Sequence, residues 1–191
     1  LRRDIKKAII DATIKLINEK GSNPDAITVR DICKEADVSI SLINYHFQTK
    51  DNLIAECVQK IIGTVITGRE PWSDALPGKT LLETLKIAMN ATMTFMYSVE
   101  NISRISILTD HQNPRQGDNT FQAMNAFYPL VIALCSEKNI PTPRKMLNLL
   151  IQSIQGIFLR TEVLREDLKV DLRNDEERKA FVDDMVDILF R

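Results

Sequence analysis

The stretch Thr28-Val29-Arg30-Asp31-Ile32-Cys33-Lys34-Glu35-Ala36-Asp37-Val38-Ser39-Ile40-Ser41-Leu42-Ile43-Asn44-Tyr45-His46-Phe47 decides the fold. Thr28 and Asp31 stand three residues apart at the head of an apolar set. That is the spacing of a capping box, a hydroxyl at the cap and a carboxylate that reaches back to it. The helix they open buries Val29, Ile32, Cys33 and Ala36 and is short, because Asp37-Val38-Ser39 interrupts it. Ser39 is placed to cap a second short helix running to about Phe47. Two short helices across so tight a turn make a helix-turn-helix.

Upstream, Ile5, Ala8, Ile9, Ala12 and Leu16 recur at the spacing of one helix face, and Gly21 offers a stop before the polar run 22–25. Downstream, Thr49-Lys50-Asp51-Asn52 opens a longer helix carrying Leu53, Ile54, Cys57, Val58, Ile61 and Ile62 to about Gly68. Two prolines and a glycine within 69–78 mark a loop. Helical patterns resume at about 80–98, 102–110, 119–139, 143–166 and 175–190, and no strand-period segment stands out. Only 6 glycines and 7 prolines occur in 191 residues. The expectation is an all-α chain: an N-terminal three-helix helix-turn-helix domain over 1–50, then a larger helical domain over 51–191.

Composition narrows the function classes. A 44% hydrophobic, 27% charged chain is globular rather than disordered. No apolar run reaches eighteen residues, and Leu1-Arg2-Arg3-Asp4 leads into no apolar core. Neither a membrane span nor a secretory signal is expected, and a cytoplasmic location is. Three cysteines without a CxxC pair, and His46 and His111 far apart, speak against a zinc site or disulfide framework; no metal or cofactor is expected. A net charge of −1 argues against nucleic acid until it is divided. Residues 1–50 hold nine Lys+Arg and seven Asp+Glu, whereas 51–191 hold sixteen and nineteen. A mildly basic head sits on an acidic body.

Two late helices carry more apolar surface than one face needs. From Met146 to Leu159 only Asn148, Gln152 and Gln155 make a polar stripe, and seven apolar residues fall between Phe181 and Phe190. Burial inside one subunit or packing against a symmetry mate both explain them; the dimer reading is preferred. It assigns Leu150, Ile154, Ile157, Phe158, Val182, Met185, Val186 and Leu189 to the interface.

Residues 27–53 resemble the N-terminal DNA-binding domain of the tetracycline-repressor (TetR) family of bacterial transcription regulators. The likeness covers about fifty residues. It rests on the threonine opening helix 2, the Ala36-x-Val38-Ser39 turn, Tyr45-His46-Phe47 closing helix 3, and Lys50-Asp51-x-Leu53 opening helix 4. The chain departs from the family at Asp37, usually glycine, and at Ser41 and Asn44, usually glycine and tyrosine.

With Ile43 and Phe47 packed inward, Ile40, Ser41, Leu42 and Asn44 become groove-facing candidates. Asn44 suits adenine, and Ile40 or Leu42 a thymine methyl. Thr28, Tyr45, His46 and Lys50 suit phosphate, a role the resemblance implies for their equivalents, and Ser39 joins them at the helix start. Arg30 reads equally as a solvated charge or a DNA contact. In the second domain Met89, Met93, Met96, Phe121, Phe127 and Tyr128 each read most simply as core. The resemblance implies that such helices enclose a small hydrophobic inducer. The expected function is a ligand-responsive regulator, a homodimeric repressor that binds a palindromic operator in double-stranded DNA and is released by inducer. One alternative is the same fold controlled by a partner protein. Another is an enzyme of the helical region, for which no catalytic motif appears.

Overall fold

A computed structural model describes residues 4–20, 26–66 and 75–191, without the side chains of 61–66. The expected stop at Gly21, the loop 22–25, the side chains of Ile61 and Ile62, and most of the linker 69–78 lie outside it. Among the described residues there is no strand. The helices are α1 (Ile5–Lys20), α2 (Val29–Ala36), α3 (Ile40–Phe47), α4 (Lys50–Ile66), α5 (Leu81–Ser98), α6 (Glu100–Gln112), α7 (Asn119–Glu137), α8 (Pro143–Leu159), α9 (Thr161–Leu168) and α10 (Asp175–Leu189).

The helices fall into two compact units. The first holds the described residues of Leu1–Arg69 together with Val99–Asn119, so it is wider than the 1–50 segment expected for the reading head. Its core explains why. Ile9 and Ile17 of α1, Ile32 of α2, Ile43 and Phe47 of α3, and Leu53, Ile54 and Cys57 of α4 form one buried cluster, which Ile102 and Ile105 of α6 complete. A helix that begins fifty residues later thus closes the core over α1 and α4. Ion pairs rim it: Lys6–Glu56 at 2.7 Å and Lys60–Asp11 at 2.6 Å join α1 to α4, and Lys15–Glu35 at 2.6 Å joins α1 to α2. Such exposed pairs contribute only about 0–1 kcal/mol each, so the apolar cluster dominates.

The second unit holds α5, α8, α9, α10 and nearly all of α7. Arg178 of α10 is only 3% exposed. Its guanidinium donates to the Leu172 and Arg173 carbonyls, to Thr94 Oγ1 at 3.0 Å and to Asp175 Oδ1 at 2.5 Å, and it faces the Tyr97 ring. Such a buried cation persists only when its donors are satisfied, and here they tie α5, α10 and the preceding loop together. Lys86–Asp187 and Asn90–Asp183 extend the α5–α10 seam.

Two expectations change here. The helix expected over 143–166 breaks at Arg160, whose φ of −105° and ψ of 18° end α8. The buried Thr161 hydroxyl donates back to the Phe158 carbonyl at 2.8 Å and meets the Tyr97 hydroxyl at 2.7 Å, holding the break. The expected interface also needs correction. Leu150, Ile154, Phe158, Val182 and Val186 are buried within the single chain and form its core. Of the eight residues assigned, only Ile157, Met185 and Leu189 keep partial exposure. The large apolar side chains that α8 and α10 present to solvent are instead Leu149, 54% exposed, and Ile188, 66% exposed.

Truncating a fully buried side chain removes transfer energy and leaves a void. Ile17→Ala should therefore lose about 2–5 kcal/mol of stability, and Val163→Ala, half-exposed on α9, should stay within about 0.5 kcal/mol of the parent. Urea denaturation midpoints at constant m-value check both.

Candidate nucleic-acid interface

The head begins with the capping box at Thr28. Its hydroxyl accepts the Asp31 N–H at 3.1 Å and donates to Asp31 Oδ2 at 2.8 Å, while the Thr28 N–H reaches the same oxygen at 3.1 Å. Lys20 Nζ adds a fourth contact at 2.7 Å. The Lys20 hydrogen bond, then those from the Thr28 side chain and backbone, hold the Asp31 carboxyl down at about 2. The Thr28 hydroxyl proton is therefore committed to capping, and a phosphate contact there would have to draw it away from Asp31.

The turn after α2 is made by Asp37 in the left-handed region, φ 52° and ψ 56°, where the aspartate stands in for glycine. The Val38 N–H closes the turn on the Cys33 carbonyl at 3.0 Å. Ser39 precedes α3 with extended backbone but makes no side-chain cap; its Oγ pairs with Ser41 Oγ at 2.7 Å. The expected Ser39 cap is thus replaced by a serine–serine pair beside the first turn.

On α3 the division between faces is clean. Ile43 and Phe47 are buried, whereas Ile40, Ser41, Asn44 and Tyr45 are exposed, Tyr45 by 80%. Positions 40, 41, 44 and 45 share one helix face, so the structure brings these four together. Leu42 and His46 flank it half-buried, and the His46 ring meets Tyr45 edge-on with centroids 5.1 Å apart. Arg30 is exposed on α2 and Lys50 half-buried at the start of α4. A tyrosine left this exposed is unusual on a helix whose other face is seated in a core. Its phenol and the Asn44 carboxamide are groups that meet a polar partner.

Sequence reasoning missed what lies behind α3. An open cleft of about 240 Å³ is lined by His46, Gln48, Asn52, Glu56, Gln59 and Arg115. Arg115 belongs to the link between α6 and α7, and nothing in the periodicity of 111–118 places it beside α4.

In the second unit Met89, Met93, Met96 and Phe127 are buried in the core, and Phe121 and Tyr128 are half-buried. The Tyr128 ring is covered by the Arg144 guanidinium 4.0 Å away. The Gln155 carboxamide is 7% exposed; its Nε2 donates to Thr120 Oγ1 at 2.9 Å and its Oε1 has no partner among the described residues. Burial raises the Cys33 and Cys135 thiols and pushes Cys57 up to about 12, away from thiolate character. Among the described residues no group of three or more His, Cys, Asp or Glu is placed to hold a metal ion, and no helix is long and apolar enough to cross a membrane.

An all-α chain with a helix-turn-helix head, its second short helix turned outward, defines a helix-turn-helix protein. Comparison with known proteins agrees and goes further. Residues 9–57 match the family model described as bacterial regulatory proteins, tetR family. A 123-residue span, 64% of this chain, is 26% identical to the HTH-type transcriptional regulator BetI of Rhizobium meliloti (strain 1021). The chain spans about half the length of that curated relative. The crystal structure of native NalD, the secondary repressor of the MexAB-OprM multidrug efflux pump in Pseudomonas aeruginosa, shares the fold. Its TM-score is 0.51 at 21% identity, over 95% of this chain and 96% of that one. The likeness to the tetR family thus covers residues 9–57, the helix-turn-helix head and the start of α4.

Because the Asp31 carboxyl is lower in the folded chain than its ordinary 3.8, its contribution is complete above pH 4 and lost as pH falls from about 4 to about 2. Asp31→Asn should flatten that part of the stability profile, read as urea midpoint against pH. Thr28→Ala should cost about 1 kcal/mol at neutral pH.

Proposed function

We propose that this protein is a dimeric transcriptional repressor that reads a palindromic DNA duplex through α3 and is released by a small molecule. The observation that carries the reading is the outward face Ile40, Ser41, Asn44 and Tyr45 on a helix braced from behind. Asn44 suits adenine, Ile40 a thymine methyl, and Tyr45, His46, Arg30 and Lys50 suit the flanking phosphates. The names of the relatives, a transcriptional regulator and a repressor, support the same class.

The second copy packs on α8 and α10 at Leu149, Met185 and Ile188. The side of Gly156 open to added atoms lets the helices approach. In such a dimer the two α3 helices must stand about 34–36 Å apart to enter successive major grooves. A ligand that favours another spacing releases DNA through about 1–3 kcal/mol of coupling. Within the second unit, the bare Gln155 oxygen supports a ligand carrying a hydrogen-bond donor, because a buried acceptor without a partner costs about 1–3 kcal/mol.

Selection from a random duplex pool tests the DNA reading. A palindrome with two half-sites is expected, and no enrichment would sink it. On the selected duplex, Asn44→Ala should relax preference at one position per half-site by about 1–3 kcal/mol. Lys50→Ala should weaken all sequences alike and lower the salt slope by about one. Ile188→Glu should give a folded monomer by analytical ultracentrifugation; an unchanged dimer would place the interface elsewhere.

A further inference from the structure

The link from α3 to α4 is made at a conformational cost. Gln48 has φ 66° and ψ −48°, and the Thr49 N–H donates to the Phe47 carbonyl at 2.7 Å. This is a three-residue γ-turn of the rare positive-φ kind, which a residue with a Cβ adopts under strain. Strain of this sort persists only where neighbouring bonds hold it. Asn52, in the first turn of α4, donates from Nδ2 to the same Phe47 carbonyl at 3.0 Å. Its backbone N–H reaches Thr49 Oγ1 at 3.1 Å. Its Oδ1 accepts Arg115 Nη1 at 2.6 Å.

The orientation of that carboxamide follows from chemistry. Arginine only donates, so it must face Oδ1, and this turns Nδ2 toward Phe47. Arg115 is itself placed by its loop. Its N–H donates to the Asp118 carboxylate at 3.1 Å, and the Asp118 N–H returns to the Arg115 carbonyl at 3.2 Å. Asn113 adds a parallel tie to Asp51 at 3.1 Å. A continuous set of bonds thus runs from the segment 113–118 to the last carbonyl of the outward-facing helix.

We propose that Asn52 and Arg115 are positioning residues for α3: through them the segment 113–118 holds the Gln48 turn and sets the angle at which α3 leaves α4. A displacement of that segment breaks the 2.6 Å contact, frees the Asn52 carboxamide to rotate, and lets the turn relax. The consequence for DNA rests on the proposed function; the hold on the turn does not.

Amide hydrogen exchange on the free, full chain tests the hold directly. Arg115→Gln should speed exchange at Gln48 and Thr49 by about three- to ten-fold, the effect of one lost hydrogen bond, with Ile9 and Ile17 unchanged. Asn52→Asp keeps an acceptor for Arg115 but cannot donate to Phe47, and should give the same increase. On a selected duplex, Arg115→Gln should weaken binding about three- to ten-fold with an unchanged salt slope. A slope lowered by about one would make Arg115 a phosphate contact and overturn the positioning role. Gln48→Gly removes the strain, so adding it to Arg115→Gln should restore affinity. Unchanged exchange in both single variants, or no recovery in the double variant, overturns the proposal. If no duplex is enriched, the DNA reading fails, and the exchange rates still decide the hold.

Discussion

An isolated helix of eight residues is not stable in water, so the orientation of α3 comes from what it inserts into its neighbours. The main insertion is the Phe47 ring, 2% exposed among α1 and α4 side chains, with Ile43 one turn earlier. Lys6 of α1 lies over that ring at 5.6 Å and pairs with Glu56 of α4, so three helices converge on one aromatic side chain. The turn geometry at Asp37 and at Gln48 follows from this anchor. With the ring seated, the chain must turn sharply on both sides of α3, and both turns use positive φ at non-glycine residues. Local propensity alone would have avoided them.

Much of this was legible in the residues, and the limits have identifiable causes. Periodicity places a helix wherever one face is apolar, so α1, α2 and α4 followed from Ile9, Ile32 and Leu53. The Thr28–Asp31 spacing gave a capping box that the hydrogen bonds reproduce. The Ser39 cap failed because a second hydroxyl two residues away competes for the first. Periodicity also says that a side chain is buried but not by what. Leu150, Ile154 and Val182 therefore read as an interface, whereas all three are buried within the single chain. Arg115 and Asn52 were invisible for a different reason. Their pairing is 63 positions apart in the chain and depends on α6 folding back, which no local pattern encodes.

The net charge of only −1 acquires a structural meaning. Lys6, Lys15 and Lys20, three of the head's basic residues, are engaged by Glu56, Glu35 and Asp31 across helix pairs. They serve the packing of the head more than its outer field. Under the proposed function, long-range attraction to a polyanion is then weak, and short-range fit of the α3 face has to carry more of the discrimination.

The split of α3 into a seated face and an outward face separates two kinds of inheritance. Positions 43 and 47 answer to the core and tolerate almost no change in volume. Positions 40, 41, 44 and 45 are exposed and make no part of the core, so they can drift or be rewritten at little cost to folding. A lineage built on this head can rewrite its outward face while its scaffold stays put.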